Sequence, residues 1–165
     1  LSALNAVEGR FQQYKSDSGI IAIVDYAHTP DALDNVLKTI ADIRTGNQKL
    51  VCVVGCGGDR DAGKRPLMAE VACTWSDQVI LTSDNPRSEE PMAIIEEMKT
   101  GVSASQMKKV LSLDDRREAI KLGIALCSHG DILLIAGKGH EKYQEIKGER
   151  FPFDDLAILK EHLKD

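Results

Sequence analysis

The sequence predicts an α/β fold: a Rossmann-like, mostly parallel sheet with helices on both faces, forming a single domain over residues 1–165. Short, continuously apolar and largely β-branched runs such as Ile20 to Val24 and Leu50 to Val54 suit strands buried on both faces, the mark of parallel pairing. Stretches with apolar residues at helical spacing separate these runs, and such alternation builds βαβ units. No linker, repeat or low-complexity segment interrupts it.

In chain order, Gly9 to Tyr14 suits an edge strand ahead of the polar turn Ser16 to Gly19. The strand Ile20 to Val24 ends in Asp25-Tyr26-Ala27-His28-Thr29-Pro30, where Thr29 is placed to cap a helix and Pro30 to occupy its first position. Leu33, Val36, Leu37, Ile40 and Ile43 give that helix one apolar stripe. Strand Leu50 to Val54 leads through Gly55 to Arg65 into a helix from about Pro66 to Trp75. Strand Gln78 to Thr82 leads through Ser83-Asp84-Asn85-Pro86-Arg87 into a helix from about Pro91 to Met98. A weaker strand near Lys109 to Leu111 precedes a helix from Asp115 through Leu126, with Glu118 completing a capping-box-like start. Strand Ile132 to Ala136 ends in Gly137-Lys138-Gly139-His140-Glu141, and a last helix spans about Asp154 to His162.

Composition narrows the function classes. With 42% hydrophobic and 28% charged residues the chain has an ordinary globular balance, which excludes intrinsic disorder. A net charge of −5 argues against a general nucleic-acid surface. No apolar run approaches the roughly 20 residues of a membrane-spanning helix, and no basic-then-apolar leader opens the chain, so a cytoplasmic location is expected. Cys52, Cys56, Cys73 and Cys127 lack paired C-x-x-C spacing and read as reduced thiols rather than a metal site or disulfides. The first residue is Leu1, which hints at a fragment or processed form.

Ligands of open α/β sheets bind outside the carboxyl ends of strands. Four polar loops, beginning at Asp25, Gly55, Asp84 and Gly137, leave such ends and are expected to cluster along one edge. In the second loop Gly58, Gly63 and Lys64 match the spacing G-x-x-x-x-G-K, but Arg65 replaces the Mg²⁺-binding hydroxyl and Pro66 follows, which disfavours a P-loop. Asp25 has two readings, a helix cap or an acceptor for a ribose hydroxyl. His28 suits a bond to a backbone carbonyl, and Arg10 matters only if the fold brings it to this edge. Arg60, Lys64 and Arg65 at a helix mouth favour an anion, with a solvated mixed-charge turn as the alternative. Asp84, Asn85, Pro86 and Arg87 offer a carboxylate, an amide, a rigid proline and a guanidinium fork. An ammonium suits Asp or an amide oxygen, and a carboxylate suits Arg. The Gly137 loop adds close backbone approach and Glu141 as a second ammonium acceptor. Together they suit a ligand with more than one carboxylate and more than one amine.

The run DYAHTPDAL (25–33), the loop GCGGDRDAGKRPLM (55–68), the tetrapeptide DNPR (84–87) followed by SEEP, and AGKGHEKYQ (136–144) together resemble the C-terminal domain of the Mur ligases. The similarity is nearest to members that add meso-diaminopimelate to UDP-N-acetylmuramoyl-L-alanyl-D-glutamate, and it spans essentially the whole chain. It implies an ATP-dependent ligase in which the D-glutamate γ-carboxylate is phosphorylated and an incoming amine then forms the amide. It implies diaminopimelate binding by Arg60, Asp84, Asn85, Pro86, Arg87, Gly137 and Glu141, and ATP contacts through Arg10, Asp25 and His28. No catalytic or metal residue is assigned to this domain. ATP and Mg²⁺ would be held mostly by a central ATPase domain, and the UDP-linked dipeptide by an N-terminal domain, both absent from this chain, which therefore should not ligate alone. Lys64 and Arg65 are left to helix-mouth electrostatics or packing, and His140 has no assigned role. A same-fold ligase adding lysine or another amino acid, and a non-catalytic Rossmann-type small-molecule-binding module, remain alternatives.

Overall fold

The computed structural model describes residues 8–163. Six strands form one sheet: β1 (Gln12–Lys15), β2 (Ile21–Asp25), β3 (Leu50–Cys56), β4 (Gln78–Ser83), β5 (Val110–Ser112) and β6 (Ile132–Ala136). Their order is β1-β2-β6-β3-β4-β5, parallel except for β1, which runs antiparallel to β2 at the edge. The helices are α1 (Pro30–Ile43), α2 (Lys64–Trp75), α3 (Pro91–Lys99), α4 (Arg116–Leu126) and α5 (Asp155–His162).

The period of two along each strand divides the core into two layers. Leu50, Cys52 and Val54 of β3 face a cluster with Leu33, Leu37 and Ile40 of α1, Met68 and Ala72 of α2, and Ile95 of α3. Val51 and Val53 face the opposite cluster, with Ala119 and Ile120 of α4 and Ile158 and Leu159 of α5. Each fully buried Leu, Ile or Val side chain contributes about 1.5–3 kcal/mol, so every central strand is held from both faces. Helices flank the sheet on both sides, as the sequence predicts.

Several boundaries move for identifiable reasons. Helix α1 starts as expected: Thr29 Oγ1 accepts from the Ala32 N–H at 3.2 Å and Pro30 sits at the first position. Helix α2 begins at Lys64, two residues before Pro66. A proline there costs nothing because the first-turn N–H groups have no intrahelical acceptor, and Lys64 and Arg65 therefore belong to the helix. The weak strand is β5, displaced to Val110–Ser112 by a preceding 3₁₀ turn over Ala104–Lys109. The sequence reading missed an antiparallel hairpin, β7 (Tyr143–Ile146) with β8 (Glu149–Pro152), which stands apart from the main sheet. Lys147 and Gly148 at its tip both have positive φ, 49° and 79°, the geometry of a two-residue turn that matches strand twist.

Strand order fixes the site. Because β6 lies between β2 and β3, and β4 follows β3, the four loops leaving β2, β6, β3 and β4 are neighbours along one edge.

Candidate functional site

Each loop on this edge is tied to another. Between the loops of β3 and β4, the Gly58 N–H donates to the Asn85 carbonyl at 2.8 Å, and any side chain at Gly58 would run into the Pro86 carbonyl. Asp59, at φ 56°, receives the Ser88 N–H on Oδ2 at 3.3 Å, and its own N–H donates to Glu89 Oε2 at 2.7 Å. Beneath them Arg65 is 1% exposed; it donates to Glu89, Glu97 and the Gly57 carbonyl at 2.7–3.1 Å. Arg65 is therefore a bolt between α2, α3 and the two loops, in line with the packing assignment. Lys64 reaches the other way, donating to the His28 carbonyl at 2.7 Å.

The hairpin fastens the Asp84 to Arg87 loop from outside. Gln144 Nε2 donates to the Asp84 carbonyl at 2.9 Å, the Arg87 N–H to the Glu145 carbonyl at 3.0 Å, and the Lys147 N–H to the Arg87 carbonyl at 2.8 Å. Arg87 has φ 53°, a left-handed conformation that side-chain-bearing residues adopt at a cost of roughly 1 kcal/mol or more. Those backbone bonds hold it there. Its Nη1 donates to the Gly58 carbonyl at 2.9 Å and its Nε lies 3.4 Å from Glu145 Oε1.

A cleft of about 550 Å³ opens between these loops. Arg60, Asp84, Asn85, Arg87, Gly137, Glu141 and His28 all line it, together with Tyr26, Lys64 and Tyr143. Gly137, at φ 118°, turns the chain immediately after β6, and a Cβ there would come 3.5 Å from Asp84 Oδ2. Arg60 is exposed and, among the described residues, its Nη1 donates only to the neighbouring Asp59 carbonyl, at 3.0 Å.

Four of the predicted residues stand outside this cleft or are already engaged within the protein. Pro86 does not line this cleft; it lines a separate depression of about 470 Å³ on the other side of the loop. Asp25 is buried and caps no helix, since Thr29 does that. Its Oδ1 accepts from the Phe11 N–H at 2.6 Å and its Oδ2 from the Ala27 N–H at 2.8 Å, which fastens the edge segment to the β2 loop. Arg10 is brought to the edge but stands over the Tyr26 ring at 5.7 Å rather than lining the cleft. The Asn85 amide oxygen is not available to a ligand ammonium, because Lys138 Nζ at 2.7 Å and the Glu145 N–H at 2.9 Å already donate to it. His28 Nδ1 bonds the Tyr26 carbonyl at 3.0 Å, as the sequence suits, and its ring meets Tyr26 edge-on at 4.6 Å, with His140 5.7 Å from the same tyrosine.

A family model described as Mur ligase, glutamate ligase domain, matches residues 9–139. The chain belongs to this family. It is 61% identical over 163 residues to a UDP-N-acetylmuramoyl-L-alanyl-D-glutamate--2,6-diaminopimelate ligase of Cytophaga hutchinsonii, covering 99% of this chain and 33% of that protein. It is 56% identical over 161 residues to the ligase of the same name from Bacteroides thetaiotaomicron, covering 98% of this chain and 33% of that one. A solved structure of a ligase so named superposes with a TM-score of 0.87 at 48% identity, covering 96% of this chain and 32% of the other. The chain thus spans about a third of the length of the curated relatives it matches. The UDP-N-acetylmuramate-alanine ligase of Thermotoga maritima, at 19% identity and a TM-score of 0.60 over 96% of this chain and 30% of that one, shares the fold.

Within this Mur ligase domain the sequence reading passed over two buried cations. Lys138 is fully buried at the floor of the cleft: Nζ donates to Asn85 Oδ1 at 2.7 Å and the Tyr143 carbonyl at 2.9 Å, and pairs with Asp84 Oδ1 at 3.1 Å as a contact of charge rather than an aligned hydrogen bond. Burial pulls its pKa below the ordinary lysine value and the Asp84 carboxylate opposes that pull. The signal was the lysine framed by two glycines directly after a buried strand. Arg116 lies under the same edge, paired through Nε and Nη2 with Asp155 at 2.9 and 2.7 Å, and donating to the last carbonyls of β4 (Ser83, 2.9 Å) and β6 (Ala136, 3.3 Å). No local pattern announces it. No helix among the described residues is long and apolar enough to cross a membrane.

Proposed function

We propose that this chain is the amino-acid-binding domain of an ATP-dependent ligase that joins meso-diaminopimelate to UDP-N-acetylmuramoyl-L-alanyl-D-glutamate in peptidoglycan synthesis, acting in the cytoplasm with an N-terminal UDP-binding domain and a central ATPase domain. The observation that carries this is one cleft lined by two guanidinium groups, Arg60 and Arg87, together with the Asp84 and Glu141 carboxylates, Asp61 and Lys64 being tied to the Gly63 N–H and the His28 carbonyl. Diaminopimelate carries two carboxylates and two amines, which that charge pattern complements. The names of the similar ligases support the same reading.

In this reading Arg60 and Arg87 bind carboxylates, which guanidinium forks hold better than point charges do. Asp84, Glu141 and backbone at Gly137 hold an ammonium, so that one amine is bound while the other is left to form the amide. Holding the reacting amine in place is where such a site contributes most to rate. ATP supplies the phosphoryl group that activates the acceptor carboxylate, with Mg²⁺ neutralising its phosphates. A cationic and aromatic edge at Arg10, Tyr26 and His28 fits a nucleotide, and Asp25 keeps lone pairs for a ribose hydroxyl beside its two backbone bonds. Among the described residues no group of three or more His, Cys, Asp or Glu side chains is arranged to hold a metal.

The test is substrate choice in the full-length ligase. Lysine lacks the distal carboxylate and would leave the ligand-facing donors of Arg87 without an acceptor; polar sites reject such analogues by roughly 10⁴ to 10⁵. Arg87→Ala is expected to reduce kcat/KM for diaminopimelate by about two orders of magnitude or more while lysine use changes little. An unchanged preference for diaminopimelate over lysine would overturn the role of Arg87 and weaken the substrate assignment with it.

A further inference from the structure

Among the described residues each hydrogen-bond or ion-pair partner of Lys138 Nζ is an oxygen: Asn85 Oδ1, the Tyr143 carbonyl, Asp84 Oδ1, and Glu141 Oε1 at 3.8 Å. An amine lone pair would find no donor there, whereas an ammonium uses its N–H groups fully. Lys138 is thus a fixed cation beneath the cleft, and its chemistry constrains Asn85 above it. An amide side chain can sit either way round, and only its partners decide which end is the oxygen. Here both inner partners, the Lys138 ammonium and the Glu145 N–H, can only donate. The oxygen must face inward. The other end, Nδ2, has no acceptor among the described residues and is not sealed off from the cleft that Asn85 lines.

We propose that Lys138 is a positioning residue: with the Glu145 N–H it locks the Asn85 amide so that only its donor end faces the cleft, making Asn85 a reader of ligand carboxylates rather than of ammonium groups. Asn85 then acts on the same side of the charge pattern as Arg60 and Arg87, and ammonium recognition falls to Asp84 and Glu141. A cation that touches no substrate in this way sets which part of the substrate each loop recognises. This rests on reading the cleft as the amino-acid site.

The experiment uses the full-length ligase with diaminopimelate and lysine as alternative substrates. Lys138→Met removes the shorter of the two inward donors with little change in volume, leaving the amide held by the Glu145 N–H alone and its inward lock weakened. It is expected to raise KM for diaminopimelate on the order of 10- to 100-fold, the range for losing a charge-assisted hydrogen bond. The preference over lysine should shrink by a similar factor while KM for ATP stays within about threefold. A purely structural role would instead depress all the constants together and leave the substrate ratio alone, and that result would overturn the proposal. If Lys138→Met does not fold, Asn85→Asp decides: its carboxylate keeps the Lys138 contact but places an acceptor where Nδ2 stands, so the same loss of preference is expected, and its retention would overturn the proposal. A wild-type enzyme that does not use diaminopimelate at all would overturn the functional reading instead.

Discussion

Where β3 begins, backbone N–H groups are met by carboxylates; where β3, β4 and β6 end, backbone carbonyls are met by cations. At the first end Asp77 Oδ2 accepts from the Leu50 N–H at 2.8 Å and from Arg44 at 3.0 Å, and Asp131 accepts from the Lys49 and Ser128 N–H groups at 2.9 and 2.8 Å. At the other, Arg116 serves the Ser83 and Ala136 carbonyls, Arg65 that of Gly57 and Arg87 that of Gly58. Both ends obey one requirement, that buried backbone polar groups be paired. They differ in what is left over. Asp131 spends both oxygens on backbone, whereas the cationic end continues into Arg60 and Arg87 on an open cleft. The candidate site grows out of the charges that terminate the strands.

The strongest way to break this contrast is to remove a terminating cation. Arg116→Met leaves Asp155 buried at 0% exposure without its partner, and breaking a buried pair from one side costs about 3–5 kcal/mol. The midpoint of urea denaturation should fall accordingly, and the double variant Arg116→Met/Asp155→Leu should recover most of the loss. A cost for the single variant below about 1 kcal/mol would mean that the carbonyls of β4 and β6 need no cation.

The acidic end offers a milder comparison. Asp131→Ala removes the acceptor of the Lys49 and Ser128 N–H groups at a part-buried turn, and the expected loss is about 1–2 kcal/mol in the same measurement. Unlike changes at the cationic end, it should leave KM for diaminopimelate in the full-length ligase untouched. A shift in that constant would show that the two ends are not independent.

The contrast also explains what the sequence made legible. Strand β2 and the start of α1 could be read because their determinants are local: a buried apolar run, a capping threonine and a proline within ten residues of one another. Arg60, Asp84, Asn85, Arg87, Gly137 and Glu141 could be placed on one edge because each follows the end of a strand, and the strand order makes those ends adjacent. Lys138 and Arg116 could not be read in the same way. Their partners lie 53 and 39 residues away, at Asn85 and Asp155, and no periodicity encodes such pairs. The hairpin was missed because β7 is half-buried throughout and β8 exposed throughout, so neither strand alternates in burial. Its only sequence signal was the Lys147-Gly148 turn. The ammonium reading of Asn85 failed for the related reason that an amide's usable end depends on residues remote in sequence.

The smallest expected effect is a pH dependence confined to the cationic end. The Arg65 guanidinium, with help from the Asp59 N–H, holds the Glu89 carboxyl well below its ordinary 4.5, at about 2. A carboxyl with a depressed folded-state pKa stabilises the fold fully above its unfolded value and loses that contribution as pH falls through the folded one. The window therefore runs from about pH 4.5 down to about pH 2. Glu89 is about one-third exposed, so solvent screens the pair and its share of stability is modest. Arg65→Met removes the cause of the depression. Thermal midpoints of the wild type and this variant should differ most near neutral pH and converge as the window is crossed. A difference that stayed constant from pH 6 to pH 2 would assign the cost of Arg65→Met to lost packing and to the Gly57 carbonyl, and the bolt between the two loops would then be a matter of shape rather than charge.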